Sequence, residues 1–109
     1  MQVNFTKNNK EYQILIDDED YDKIKDLKLT ILVQNRYHEY VIDSTTRKRL
    51  YKFIVNCKAN QICIHKNNNH FDFRKDNLFI TTKKELIELV KTGKIRQRFD
   101  ELDRIYYEF

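Results

Sequence analysis

At 109 residues the chain has room for one domain and a single modest core. One glycine and no proline exclude the glycine-rich loops that cradle phosphates or dinucleotides, and no apolar run reaches the length of a membrane span. A hydrophobic share of 40%, with seven Tyr and seven Phe, predicts a folded domain rather than a disordered tail.

Net charge is +4, but it is unevenly spread. Residues 1–22 sum to −4, residues 23–50 to +4, residues 51–84 to +5 and residues 85–109 to −1. The middle of the chain is therefore basic, which suits a polyanion such as DNA or RNA. The same charge also serves plain solubility. Cys57 and Cys63 stand without a second pair, which favours free thiols in a reducing compartment over structural zinc. The polar start MQVNFTKNNKEY has no secretory pattern, so a cytoplasmic protein without a membrane partner is expected.

In chain order, Glu11 to Asp17 reads as a strand. A short helical stretch follows, with Tyr21, Ile24 and Leu27 on one face, acids in front and lysines behind. Leu29 to Gln34 and Tyr37 to Asp43 read as two strands joined by a tight turn at Asn35–Arg36. Ser44-Thr45-Thr46 is a second turn, and Arg47, Lys48 and Arg49 lead into Leu50 to Val55. Gln61 to Ile64 is a short apolar strand, Lys66 to Asn69 a polar loop, and Asn77 to Thr81 the returning strand. Thr82 and Glu85 form a capping box for a helix over Lys83 to Thr92, with Leu86, Leu89 and Val90 buried. Gly93 stands where a left-handed C-terminal cap belongs. The spacing of Ile95, Phe99, Leu102 and Tyr106 predicts a second helix from Ile95 to Tyr107.

The segment from Ile64 to Leu86 resembles the HNH (His-Me finger) motif of phage homing-type endonucleases. The family wording is close to V-D-H-x-x-G-x-x-x-x-N-R-x-x-N-L-R-x-x-T-x-x-x-N. His65 matches its histidine, Asn77-Leu78 the pair that leads the second strand, and Thr81/Thr82 the threonine. DDEDY, Asp17 to Tyr21, resembles an acidic segment that often opens such proteins, and Leu50-Tyr51-Lys52 stands where they carry Leu-His-Arg. The likeness spans roughly residues 11–86. It implies an α+β domain with a small N-terminal antiparallel sheet, a ββα (His-Me finger-like) unit and then the C-terminal helix. The single domain, 1–109, divides into a β-rich part (11–55), the ββα part (56–93) and the terminal helix (94–109).

The resemblance also implies a reaction that this chain is not equipped for. In the family a histidine deprotonates water while a divalent ion stabilises the leaving oxygen. The ion is held by the aspartate before the histidine and by the asparagine of the helix. Those positions are Ile64 and Leu86, which carry no ligand atoms. A general base alone contributes roughly 10²–10⁴-fold, and a hard cation wants oxygen ligands. No catalytic residue, metal or cofactor is therefore expected, and His65 and Asn77 are read as motif remnants, able to persist by hydrogen bonding across the loop. Asp72, Asp76 and Glu85 are the available substitute ligands, without support from spacing. His38 and His70 read as surface or packing residues.

Two functions follow from the resemblance and the charge. One is a catalytically inactive, HNH-like phage or mobile-element protein that binds nucleic acid through Arg36, Arg47, Lys48, Arg49, Lys52, Lys66, Arg74 and Lys75. Such contacts bring salt dependence and modest sequence preference. Tyr37, Tyr51 and Phe73 are candidates for stacking on unpaired bases. The alternative is a phage inhibitor of host defence, such as an anti-CRISPR protein, acting on a host protein or ribonucleoprotein. A third reading is an active metal-dependent nicking endonuclease.

Overall fold

Asn8 and Asn9 both adopt left-handed backbone angles (φ 52° and 64°) and turn the chain back on itself. Two consecutive positive φ values match the twist that a two-residue hairpin needs, and asparagine tolerates them well. The hairpin joins β1 (Gln2–Lys7) to β2 (Lys10–Leu15). β1 was not expected from sequence; Val3, Phe5 and Lys7 alternate with exposed residues along it. The computed structural model describes residues 1–35, 38–101 and 103–109. The turn residue Arg36, the adjacent Tyr37, and Leu102 lie outside these residues.

The acidic segment forms a single 3-10 turn, Asp18–Asp20, followed by α1 (Tyr21–Ile24). β3 (Leu29–Asn35) and β4 (His38–Asp43) pair antiparallel, with an irregularity between Val33 and Asn35. The buried Asp43 then organises the next turn. Its carboxylate accepts from Thr46 Oγ1 at 2.8 Å, from the Thr46 amide at 3.1 Å and from the Lys28 amide at 3.1 Å. The Thr46 hydroxyl leads in holding this carboxyl below its usual range. The turn returns the chain along β4, where Leu50 N donates to Val41 O and Asp43 N to Lys48 O, both at 2.9 Å. One turn of helix, α2 (Tyr51–Ile54), follows.

β5 (Gln61–His65) and β6 (Leu78–Thr82) pair antiparallel, and α3 (Lys83–Lys91) continues directly from β6. Thr82 caps α3 by accepting from the Glu85 amide at 3.1 Å. The Glu85 carboxylate accepts from the Thr81 hydroxyl at 3.3 Å. Leu86 is buried on α3, while Leu89 and Val90 are half-buried. Gly93 ends the helix at φ 79°, a left-handed position that suits glycine.

The expected C-terminal helix is not formed. Arg96–Phe99 (β7) and Ile105–Glu108 (β8) make an antiparallel hairpin instead. Asp100 closes its turn: its carboxylate accepts from the Arg104 amide at 2.9 Å and Arg104 Nε at 2.6 Å, while Asp103 takes φ 58°. Ile105, Tyr106 and Tyr107 favour a pleated strand, and this local turn outweighs an apolar spacing of three and four. Ile95 is buried ahead of the hairpin, whereas Phe99 is exposed.

The fold is α+β, with four two-stranded antiparallel sheets among the described residues. Its core joins Ile14 and Ile16 after the first turn to Ile24, Ile31, Val41, Leu50, Ile54, Phe73 and Leu78. Burying one such side chain contributes about 1.5–3 kcal/mol. The core pulls the loop between β5 and β6 against β2. Leu15 N donates to Phe71 O at 2.9 Å, and Phe73 N donates to Leu15 O at 2.7 Å. No described helix is long and apolar enough to cross a membrane.

Candidate functional site

The loop after β5 is built around Asp72, which is fully buried. Three Asn residues, Asn67 to Asn69, start the loop, and Asn68 takes φ 61°. Asn67 Nδ2 donates to Asp72 Oδ2 at 2.8 Å. Arg74 grips the same carboxylate with Nε on Oδ1 at 2.9 Å and a terminal nitrogen on Oδ2 at 2.6 Å. These bonds, Arg74 first, hold the Asp72 carboxyl down at about 2. The Asp72 backbone carbonyl meets two further side chains: His65 Nδ1 and Asn77 Nδ2 each lie 3.0 Å from it. Asn77 Oδ1 in turn accepts the Asn67 amide at 2.9 Å.

A carbonyl only accepts, so in the neutral ring His65 Nδ1 carries the proton, and the Asn69 backbone also hydrogen-bonds this imidazole. Burial lowers the His65 pKa below its ordinary 6.5, which favours that neutral form. Phe73 packs edge-on against the ring at 5.2 Å between centroids, and His70 lies 5.2 Å away on another side.

Beside His65 is a cleft of about 210 Å³, walled by Tyr40, Tyr51, Phe73 and His70 with Arg49 and Cys63. Arg49 lies over the Tyr40 ring at 4.0 Å and makes no ion pair with a described carboxylate. Among the described residues, no Asp or Glu lines the cleft. Burial pushes the Cys63 thiol up to about 12, so it is a neutral wall. Cys57 and Cys63 are both free thiols.

The sequence-selected cations divide into two groups. Arg47 and Lys48 are exposed on the turn before α2, Lys52 is exposed on α2, and Arg49 leans into the cleft. Lys66 is exposed next to His65, 5.9 Å from the Phe109 ring. Arg74 and Lys75 are committed elsewhere: Arg74 to Asp72, and the Lys75 ammonium to Glu19 and Asp20. Arg36 lies outside the described residues. Among the stacking candidates, Tyr51 lines the cleft and Tyr37 is outside the description. Phe73 is 3% exposed and belongs to the core, although it also lines the cleft. Tyr40, His70 and Asp72 were the residues that sequence reasoning undervalued. Their signal was an aromatic on β4 and an Asn-rich loop closing on an Asp with Arg two residues later.

The divalent ion that the resemblance implies does not fit these residues. Leu86 is buried and Ile64 is half-buried in β5, and neither aliphatic side chain carries a ligand atom. Of the substitutes, Asp72 is saturated by Arg74 and Asn67, and Glu85 accepts from Thr81. Asp76 is exposed. Elsewhere, Asp17, Glu19 and Asp20 offer carboxylate oxygens within 4.8 Å of one another. The Lys75 ammonium bonds two of these three, so a lysine already supplies the cation. No family model, curated protein or solved structure matches the chain.

Proposed function

We propose that the protein binds nucleic acid without cleaving it, on a scaffold that resembles a His-Me finger stripped of its ion ligands. The observation that carries this reading is the contrast around His65. Its loop is fully hydrogen-bonded through Asp72 and Asn77, while Ile64 and Leu86 offer nothing to an ion. Arg49 and Lys66 beside His65, and Arg47, Lys48 and Lys52 on the turn and helix around Arg49, keep their charge free of described carboxylates. Unneutralised cations draw phosphates and release their counterions. Arg74 and Lys75 drop out of the binding set, because internal carboxylates already hold them.

Fluorescence anisotropy with labelled DNA and RNA tests this reading. Affinity is expected to fall steeply with salt, and Arg47→Glu/Lys48→Glu/Arg49→Glu to abolish it. In a plasmid assay with magnesium or manganese the protein leaves the DNA intact, as does His65→Ala. Metal-dependent nicking that His65→Ala removes would establish the nuclease instead.

One observation favours the inhibitor reading as the alternative. The β7–β8 hairpin presents Phe99 at 62% and Ile105 at 49% exposure, which suits contact with a protein. Failure to bind any nucleic acid at low salt, together with nuclease-resistant capture of a host protein, would replace the first reading by this one.

A further inference from the structure

Nucleic-acid binding through exposed cations accounts for Arg47, Lys48 and Lys66 but leaves the cleft beside His65 without a role. We propose that this cleft takes one unpaired nucleobase, so that the preferred ligand is a single strand rather than a duplex. The inference rests on the nucleic-acid reading above and specifies its ligand.

Four properties of the cleft converge on a base. The first is size: about 210 Å³ is below the roughly 300–1,000 Å³ of sites for drug-sized molecules, and suits one planar ring system. The second is the wall, which is aromatic on several sides. Tyr40 and His70 meet nearly at right angles (83°) with centroids 6.4 Å apart, and the His65 and His70 rings are tilted by 40° at 5.2 Å. Rings set at such angles present both faces and edges to a flat guest. The third is polarity. The cleft wall carries imidazole, phenol and guanidinium groups from His65, Tyr51 and Arg49, which match the donors and acceptors along a base edge. The fourth is charge. Arg49 lies over the Tyr40 ring, and no described Asp or Glu lines the cleft, so the phosphate attached to a bound base meets a cation already in place.

A duplex keeps its bases stacked and paired, and inserting one here requires unstacking it first. A single strand avoids that cost. Stacking on aromatic side chains is sequence-tolerant and is expected to raise affinity by tenfold or more over a strand held by phosphates alone.

The experiment compares ligands of equal phosphate content on the intact protein. A twelve-nucleotide oligo-dT, an oligo-rU of the same length, the same DNA backbone with every site abasic, and a blunt duplex are titrated by anisotropy at one salt concentration. At least one of the oligo-dT and oligo-rU strands is expected to bind about tenfold more tightly than the abasic strand and the duplex. The chain has only three histidines, so ring proton signals can be followed individually. Those of His65 and His70 are expected to shift with the base-bearing strand and not with the abasic one. His70→Ala, checked for folding by thermal melting, should bring the single-strand affinity down towards the abasic value. Equal affinity for base-bearing, abasic and duplex ligands overturns the cleft while leaving phosphate binding intact. Absence of binding to every ligand overturns both, and points to a protein partner.

Discussion

His65 and Asn77 share one acceptor: the imidazole Nδ1 and the amide Nδ2 both lie 3.0 Å from the backbone oxygen of Asp72. The end of β5 and the residue just before β6 are thereby pinned to the loop that joins the two strands. This arrangement needs no ion and no substrate. It gives His65 and Asn77 a structural role of their own, as ties that hold the loop.

Asn77 is the more exacting member of that pair, because it is buried and uses both ends of its amide. Asn77→Ala removes the bond to Asp72 and leaves the Asn67 amide without its acceptor. Orphaned polar groups of this kind cost about 1–3 kcal/mol each. Urea denaturation should show Asn77→Ala less stable by roughly 2–3 kcal/mol. An unchanged midpoint would show that the loop is held by Arg74 and Asp72 alone.

Asp72 ties the same loop to pH. Its carboxyl lies at about 2 in the fold against an ordinary 3.8, held down first by Arg74. A depressed carboxylate stabilises the fold above its unfolded pKa, and that contribution is lost as pH falls from about 4 through 2. Arg74 is half-exposed, so solvent screens the pair, and the contribution is on the order of 1–2 kcal/mol. Asp72→Asn should be less stable than the parent at pH 7, and the difference should shrink on acidification to pH 2. A difference that is constant with pH would assign the cost to lost packing.

The middle of the chain was the legible part. β-branched and aromatic runs marked β3, β4 and β5, and the Thr82 cap and Gly93 bounded α3 to within a residue. The two ends were not legible, for different reasons. β1 consists of polar residues alternating with Val3, Phe5 and Lys7, and its turn is Asn-Asn rather than a glycine pair. In the C-terminal segment Ile95, Phe99 and Tyr106 fall at helical spacing, but Asp100 holds Arg104 and makes a hairpin. The cleft was half legible. Arg49 and Tyr51 stood out as charge and ring, whereas Tyr40 and His70 come together only through the pairing of β4 with the chain after its turn and the placement of the Asp72 loop.

Burial makes His65 a second pH-dependent element, of opposite charge type. Its pKa is lowered from 6.5, so the unfolded chain takes up a proton before the folded one does. Stability is therefore at its full value above about 6.5 and declines as pH falls from there to the folded pKa, where it levels off. His65→Gln should flatten this part of the profile, measured as urea midpoint between pH 7.5 and 5. Retention of the full slope would take His65 out of the pH profile.

Arg47 separates folding from binding at a single position. It is exposed and sits at φ 62°, where its amide donates to Asp43 O at 2.8 Å to close the turn before α2. A non-glycine residue in this region is strained by about 1 kcal/mol or more. Arg47→Gly relieves the strain at no cost in buried contacts, although the unfolded chain gains freedom that offsets part of the gain. Thermal melting is therefore expected to show a variant at least as stable as the parent. The same substitution removes one free cation from the proposed phosphate surface, so its affinity for nucleic acid should fall, and the slope of log affinity against log salt should decrease by about one. A variant that melts at the parent temperature or above and binds with the parent salt slope would take Arg47 out of the proposed interface and leave Lys48, Arg49, Lys52 and Lys66 to carry it.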